Sequence, residues 1–94
     1  MYNDRMNPLL FRAHAVQRMF ERKISFDKVR RALKAEDVIE DYSSEMPEPS
    51  RLIFGVQGKQ PFHVVTSENE NQMTVITVYI PSPDKWKKDC RTRR

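Results

Sequence analysis

Arg51-Leu52-Ile53-Phe54-Gly55-Val56-Gln57 runs into Gly58-Lys59-Gln60 and then into Phe62-His63-Val64-Val65-Thr66-Ser67. Two stretches rich in β-branched and aromatic residues, separated by a turn of hairpin length, predict an antiparallel strand pair. In the first, Leu52, Phe54 and Val56 fall on one side; in the second, Phe62 and Val64 face one way, His63 and Val65 the other. Residues 68–72 are acid and amide only, a loop by composition. Residues 73–80 then make the strongest strand, Ile76, Val78 and Ile80 alternating with Val75, Thr77 and Tyr79, until Pro81-Ser82-Pro83 stops it. The expected core face bears Phe62, Val64, Ile76 and Val78, which puts His63 on the other face with Thr77 and Tyr79. Upstream, residues 38–42 read as a short polar strand, closed by the proline-rich loop 46–50.

Before the strands the period is helical. Asn7-Pro8 is a helix start, and Leu9, Ala13, Val16, Phe20 and Ile24 recur at three- and four-residue spacing, predicting an amphipathic helix over 8–23 with that stripe buried. Ser25 caps a second helix, with Asp27 in its first turn and Phe26, Val29, Ala32 and Leu33 on its buried side; it ends near Ala35. Consecutive strands on short connections pair antiparallel. The expected fold is therefore α+β: two N-terminal helices packed on one face of an antiparallel sheet of about four strands, the other face open. The boundaries are one domain over 1–84 and a basic tail over 85–94, in which Trp86 is the candidate anchor.

At 94 residues there is room for one core. No apolar run approaches the ~20 residues needed to span a bilayer, and no secretory leader is evident. One cysteine, Cys90, cannot form an internal bridge, so a soluble cytoplasmic protein is expected. The net charge of +4 hides a pattern: residues 1–34 carry nine bases and three acids, residues 35–50 six acids and no base, and residues 84–94 six bases and two acids. Basic blocks on a small domain are the footprint of a polyanion. The acidic strip reads as a solvated face.

His14, Arg18 and Arg22 are spaced i, i+4, i+8 and line one helix face away from the apolar stripe. Guanidinium forks hold phosphates and an imidazole moves protons near neutrality. With His63 as a second imidazole, and Arg18 and Tyr79 beside it, the set could cleave RNA without a metal; the competing reading is a satisfied structural histidine and an ordinary solvated helix face. Candidate nucleic-acid contacts are Arg18, Arg22, Arg30, Arg31, Lys87 and Lys88. No glycine-rich phosphate loop, zinc spacing or calcium-loop pattern is present, so no metal or cofactor is expected.

The run His14-Ala15-x-x-Arg18-Met19-x-x-Arg22-x-Ile24 resembles the opening signature of a family of small bacterial proteins of unknown function. Residues 38–42, Pro49-Ser50-x-Leu52-x-x-Gly55, His63-Val64-Val65 and Ile76-Thr77-Val78-Tyr79 extend the resemblance over roughly residues 13–80. Such proteins are distantly similar to the RelE/ParE-like toxins of toxin–antitoxin systems. The resemblance implies a RelE-like two-layer fold and RNA or ribosome cleavage (or gyrase inhibition in the ParE branch), with an antitoxin protein as a partner. It also points to Tyr42 and Tyr79 as open-face residues, while the usual C-terminal catalytic arrangement is not evident. The expectation is a toxin-like, nucleic-acid-directed domain, a metal-independent endoribonuclease in its sharpest form; the alternative is a non-catalytic nucleic-acid- or protein-binding module.

Overall fold

The computed structural model describes residues 8–42 and 50–94. Seven elements follow in chain order: β1 (Leu9–Phe11), α1 (Ala13–Arg22), α2 (Phe26–Ala35), β2 (Val38–Asp41), β3 (Ser50–Gln57), β4 (Gln60–Glu68) and β5 (Met73–Tyr79). The hairpin β3–β4 is the middle of one five-stranded sheet in the order β1-β5-β4-β3-β2. Its tight turn pairs Gln57 with Gln60 and leaves Gly58 at φ +62°, a left-handed angle that glycine adopts at no steric cost.

The α+β arrangement with two helices is as expected, but the sheet is mixed and has one more strand. Residues 9–11, expected to be helix, are β1, and β1 runs parallel to β5. The backbone bonds Met73 N–H to Pro8 C=O (2.9 Å) and Arg12 N–H to Val75 C=O (3.1 Å) bracket that strand. Edge pairing with a strong strand outweighs the helical spacing of Leu9 to Ala13, so α1 starts only at Ala13. The Asn7 cap and most of the proline-rich loop lie outside the described residues.

A second correction concerns which face of α1 is buried. Ala13, Val16 and Phe20 point outward, Phe20 being 84% exposed, while Ala15 and Met19 are buried. The helix end decides this. Lys23 adopts φ +60°, Ile24 N–H bonds to Met19 C=O (2.9 Å), and Lys23 N–H bonds to Phe20 C=O (3.2 Å). That Schellman closure brings Ile24 against Met19, one residue before Phe20. α2 matches its expected limits: Ser25 Oγ accepts from Lys28 N–H, and Val29, Ala32 and Leu33 are buried. Phe26 is half exposed, its ring edge-on to Phe11 at 4.9 Å.

Both helices cover the sheet face that carries Ile53, Phe62, Val64, Val75 and Val78. Ile76 was expected there instead of Val75. The ladder pairs Val65 with Thr77 but Thr66 with Val75, so Ile76 is the extra residue of a bulge and the strand changes face across it. Gly55 lets Phe62 and α2 close over β3: a Cβ at residue 55 would lie 2.5 Å from the Phe62 ring and 2.8 Å from Ala32 Cβ. Gln57 ties the sheet to the helix connection, accepting from Ser25 N–H (3.0 Å) and donating to Lys23 C=O (2.7 Å). Among the described residues no helix is long and apolar enough to cross a membrane.

Candidate functional site

The second sheet face, expected to be open, is covered. After Pro81 the chain turns back and residues 82–94 lie as a strap across Phe54, His63 and Tyr79, with Trp86 only 3% exposed beneath it. The strap is a closed hairpin-like turn. Lys87 N–H bonds to Thr92 C=O (2.8 Å) and Arg94 N–H to Lys85 C=O (2.9 Å). The Asp89 carboxylate accepts from Arg91 N–H, Thr92 N–H and the Thr92 hydroxyl, bonds that lower its pKa. Asp89 is thus an Asx-type turn builder of the kind that organises short loops.

Charged pairs link the strap to the sheet edge. Arg91 Nη1 donates to Asp37 Oδ1 at 2.9 Å, with Nη2 on Oδ2 completing a fork, and its guanidinium lies over the Phe54 ring at 4.3 Å. Arg93 donates from Nε to Glu40 Oε2 (2.7 Å) and from Nη2 to Glu40 Oε1 (3.0 Å), and its guanidinium lies over Trp86 at 4.5 Å. The Tyr42 hydroxyl donates to Glu40 and accepts from Arg93 Nη2 at 3.3 Å. Two acids of the strip read as a solvated face are therefore partners of the C-terminal arginines. The alternation of acidic and basic blocks was the available signal; which residues would pair depended on the fold.

His63 sits under this cover with no exposed surface. Nε2 is 2.7 Å from the Cys90 carbonyl oxygen, which can only accept, so Nε2 carries the proton. Nδ1 is 3.1 Å from the Tyr79 hydroxyl, which donates to it in the neutral form. Trp86 packs edge-on at 4.6 Å and Phe54 lies at 6.3 Å. Burial lowers the His63 pKa; the Cys90 carbonyl and Glu40 oppose the shift and Arg93 adds to it. Burial likewise raises the Tyr79 pKa, with Glu40 adding to the rise and Arg93 opposing it. The imidazole is therefore neutral at neutral pH, and both of its nitrogens are engaged.

The structure brings His63 and Tyr79 into one cluster and leaves the other named residues elsewhere. His14, Arg18 and Arg22 are exposed on α1, on the helix side of the sheet, whereas His63 is on the strap side. Arg18 pairs with Glu21 at 3.4 Å, Arg31 pairs with Asp27 at 3.1 Å, and Arg30 is exposed beside it on α2. Lys87 and Lys88 are exposed on the strap. The basic residues thus fall into two groups with the sheet between them.

Two clefts flank Trp86. A smaller one is edged by Lys87, Lys88 and Arg94. The larger, about 420 Å³, is lined by Tyr79, Ile80, Ser82, Lys85, Trp86 and Arg93. It combines aromatic walls with cationic and hydroxyl groups, a combination suited to a flat ring carrying a phosphate. Among the described residues no three His, Cys, Asp or Glu side chains cluster as a metal site.

Residues 11–80 match the model of one protein family, DUF4258, described as a domain of unknown function. The match includes Asp37, Glu40, His63 and Tyr79 and stops before the strap. No curated protein and no solved structure matches the chain significantly.

Proposed function

This chain belongs to the DUF4258 family, and we propose that it is a toxin-like, nucleic-acid-directed domain that binds single-stranded RNA in the cytoplasm. The observation that carries the reading is the cationic rim around Trp86, with Lys85 on one side and Lys87, Lys88 and Arg94 on the other, beside a cleft of about 420 Å³. Lysines and arginines neutralise successive phosphates, and a cleft walled by Tyr79 takes an unstacked base. Duplex bases cannot enter such a cleft, which favours a single strand.

Binding without cleavage is the better-supported form of this reading. His63 has no exposed atom and two occupied nitrogens. His14 and Arg18 lie across the sheet from it, so the two histidines share no reaction volume.

Fluorescence anisotropy with labelled single-stranded RNA across a salt series tests the proposal. Four phosphate contacts give a slope of log K against log salt of about −3. Reversing Lys87 and Lys88 to Glu lowers affinity and flattens that slope, whereas reversing Arg30 and Arg31 has a smaller effect. No binding at low salt, or affinity independent of salt, overturns the reading. RNA integrity and growth on expression are followed in parallel. Cleavage that survives EDTA and falls by about 10²–10⁴ in His63→Ala would restore the ribonuclease form.

A further inference from the structure

We infer that Arg91 and Arg93 form a masked phosphodiester site, its ligand positions filled in the free protein by the Asp37 and Glu40 carboxylates. The inference rests on the nucleic-acid reading above and adds two contacts, and an autoinhibitory device, that the exposed lysines do not supply.

Each arginine is built as an anion receptor. Its guanidinium plane rests on an aromatic ring, Phe54 for Arg91 and Trp86 for Arg93, which fixes the direction of the donor edge. That edge holds a carboxylate in a two-pronged fork, the geometry a guanidinium also offers to phosphate. The aromatic supports do not depend on the acids, so the donors stay oriented when a carboxylate leaves.

The pairs are also placed to exchange. Arg91 and Arg93 side chains are 43% and 52% exposed, and their partners 38% and 22%. Ion pairs this open to water are weak and salt-sensitive, so a polyanion competes with them on even terms. Arg93 also lines the large cleft. An RNA strand seated by Lys85, Lys87 and Lys88 therefore carries its phosphates past both arginines. Asp37 and Glu40 make the free strap self-neutralised at these two points, which disfavours casual anions and requires a multivalent ligand.

The test compares Asp37→Asn/Glu40→Gln with the charge-matched control Glu36→Gln/Glu70→Gln, using a single-stranded RNA of fixed length. In the wild type each arginine that takes a phosphate frees a carboxylate, which recovers a counterion; without the carboxylates two further counterions are released. The latch variant should bind at least tenfold more tightly than the control, with a salt slope steeper by about 1.4. Equal affinity and slope in the two variants overturns the inference. A second arm uses inorganic tripolyphosphate and the NMR signals of the arginine Nε–H groups. If RNA fails to bind but tripolyphosphate shifts Arg91 and Arg93 selectively in the latch variant, the phosphate site stands and the RNA reading falls. If those signals do not move, the site falls whatever RNA does.

Discussion

Replacing Trp86 with alanine tests the strap as a packed part of the structure. The ring is 3% exposed, meets His63 edge-on at 4.6 Å and carries the Arg93 guanidinium at 4.5 Å. A buried tryptophan removes about 150–250 Å² from water, which at about 25 cal/mol per Å² gives an upper bound of about 4–6 kcal/mol. Measured truncations of large buried aromatics cost about 3–5 kcal/mol, and that is the expected loss here. It is a large part of the ~5–15 kcal/mol that a domain of this size has in total. Trp86→Phe, which keeps part of the ring stack, should lose about half as much and remain folded in the absence of denaturant. Urea unfolding gives the stability, and an NMR titration of His63 gives the second readout. Because burial is the largest cause of the lowered His63 pKa, opening the cover should move it back up toward 6.5. A stability loss under about 1 kcal/mol in Trp86→Ala, with His63 titrating as before, would refute the account of the second sheet face.

Three further outcomes follow from particular contacts. Gly55→Ala places a methyl 2.5 Å from the Phe62 ring and 2.8 Å from Ala32 Cβ, so thermal unfolding should report a loss of about 1–3 kcal/mol; restoration by Phe62→Leu would identify the clash, and no loss would remove it. Met19→Ala should cost about 2–5 kcal/mol and Phe20→Ser no more than about 0.5, the reverse of the order that the apolar spacing of the sequence suggests. His63 has its pKa lowered on folding from an ordinary 6.5, so below that value the unfolded chain takes up more protons than the native one. Its contribution is present above pH 6.5 and is lost as pH falls through the folded value. Urea midpoints should therefore drop on acidification from neutrality, and His63→Gln should flatten that part of the curve; an unchanged slope would show that His63 is not the group responsible.

Local chemistry was enough to read much of this protein from its residues. The β3–β4 hairpin, with its glycine turn, and α2, with its Ser25 cap and Val29-Ala32-Leu33 face, rest on interactions a few residues apart, and both form where the sequence placed them. The bulge at Ile76 and the strand at residues 9–11 were not legible, because each depends on a partner strand far away in the chain. The same holds for α1, where the stripe of Leu9, Ala13, Val16, Phe20 and Ile24 could not reveal which side the sheet would cover. Leu9 was drawn into a strand and Ile24 into a Schellman turn on Met19, and Phe20 was left in water.

The candidate site divides along the same line. Alternation in β4 was enough to put His63 on the face away from the helices with Tyr79, and the two do meet. Composition also showed an acidic block and a basic C-terminus. That the basic segment would return over the sheet, fork Asp37 and Glu40, and bury His63 beneath Trp86 was decided by tertiary structure. Opposite charges 53 and 54 residues apart carry no register of their own. Only the folded sheet, by setting Asp37, Glu40, Phe54 and Tyr79 side by side, determined where each arginine would land.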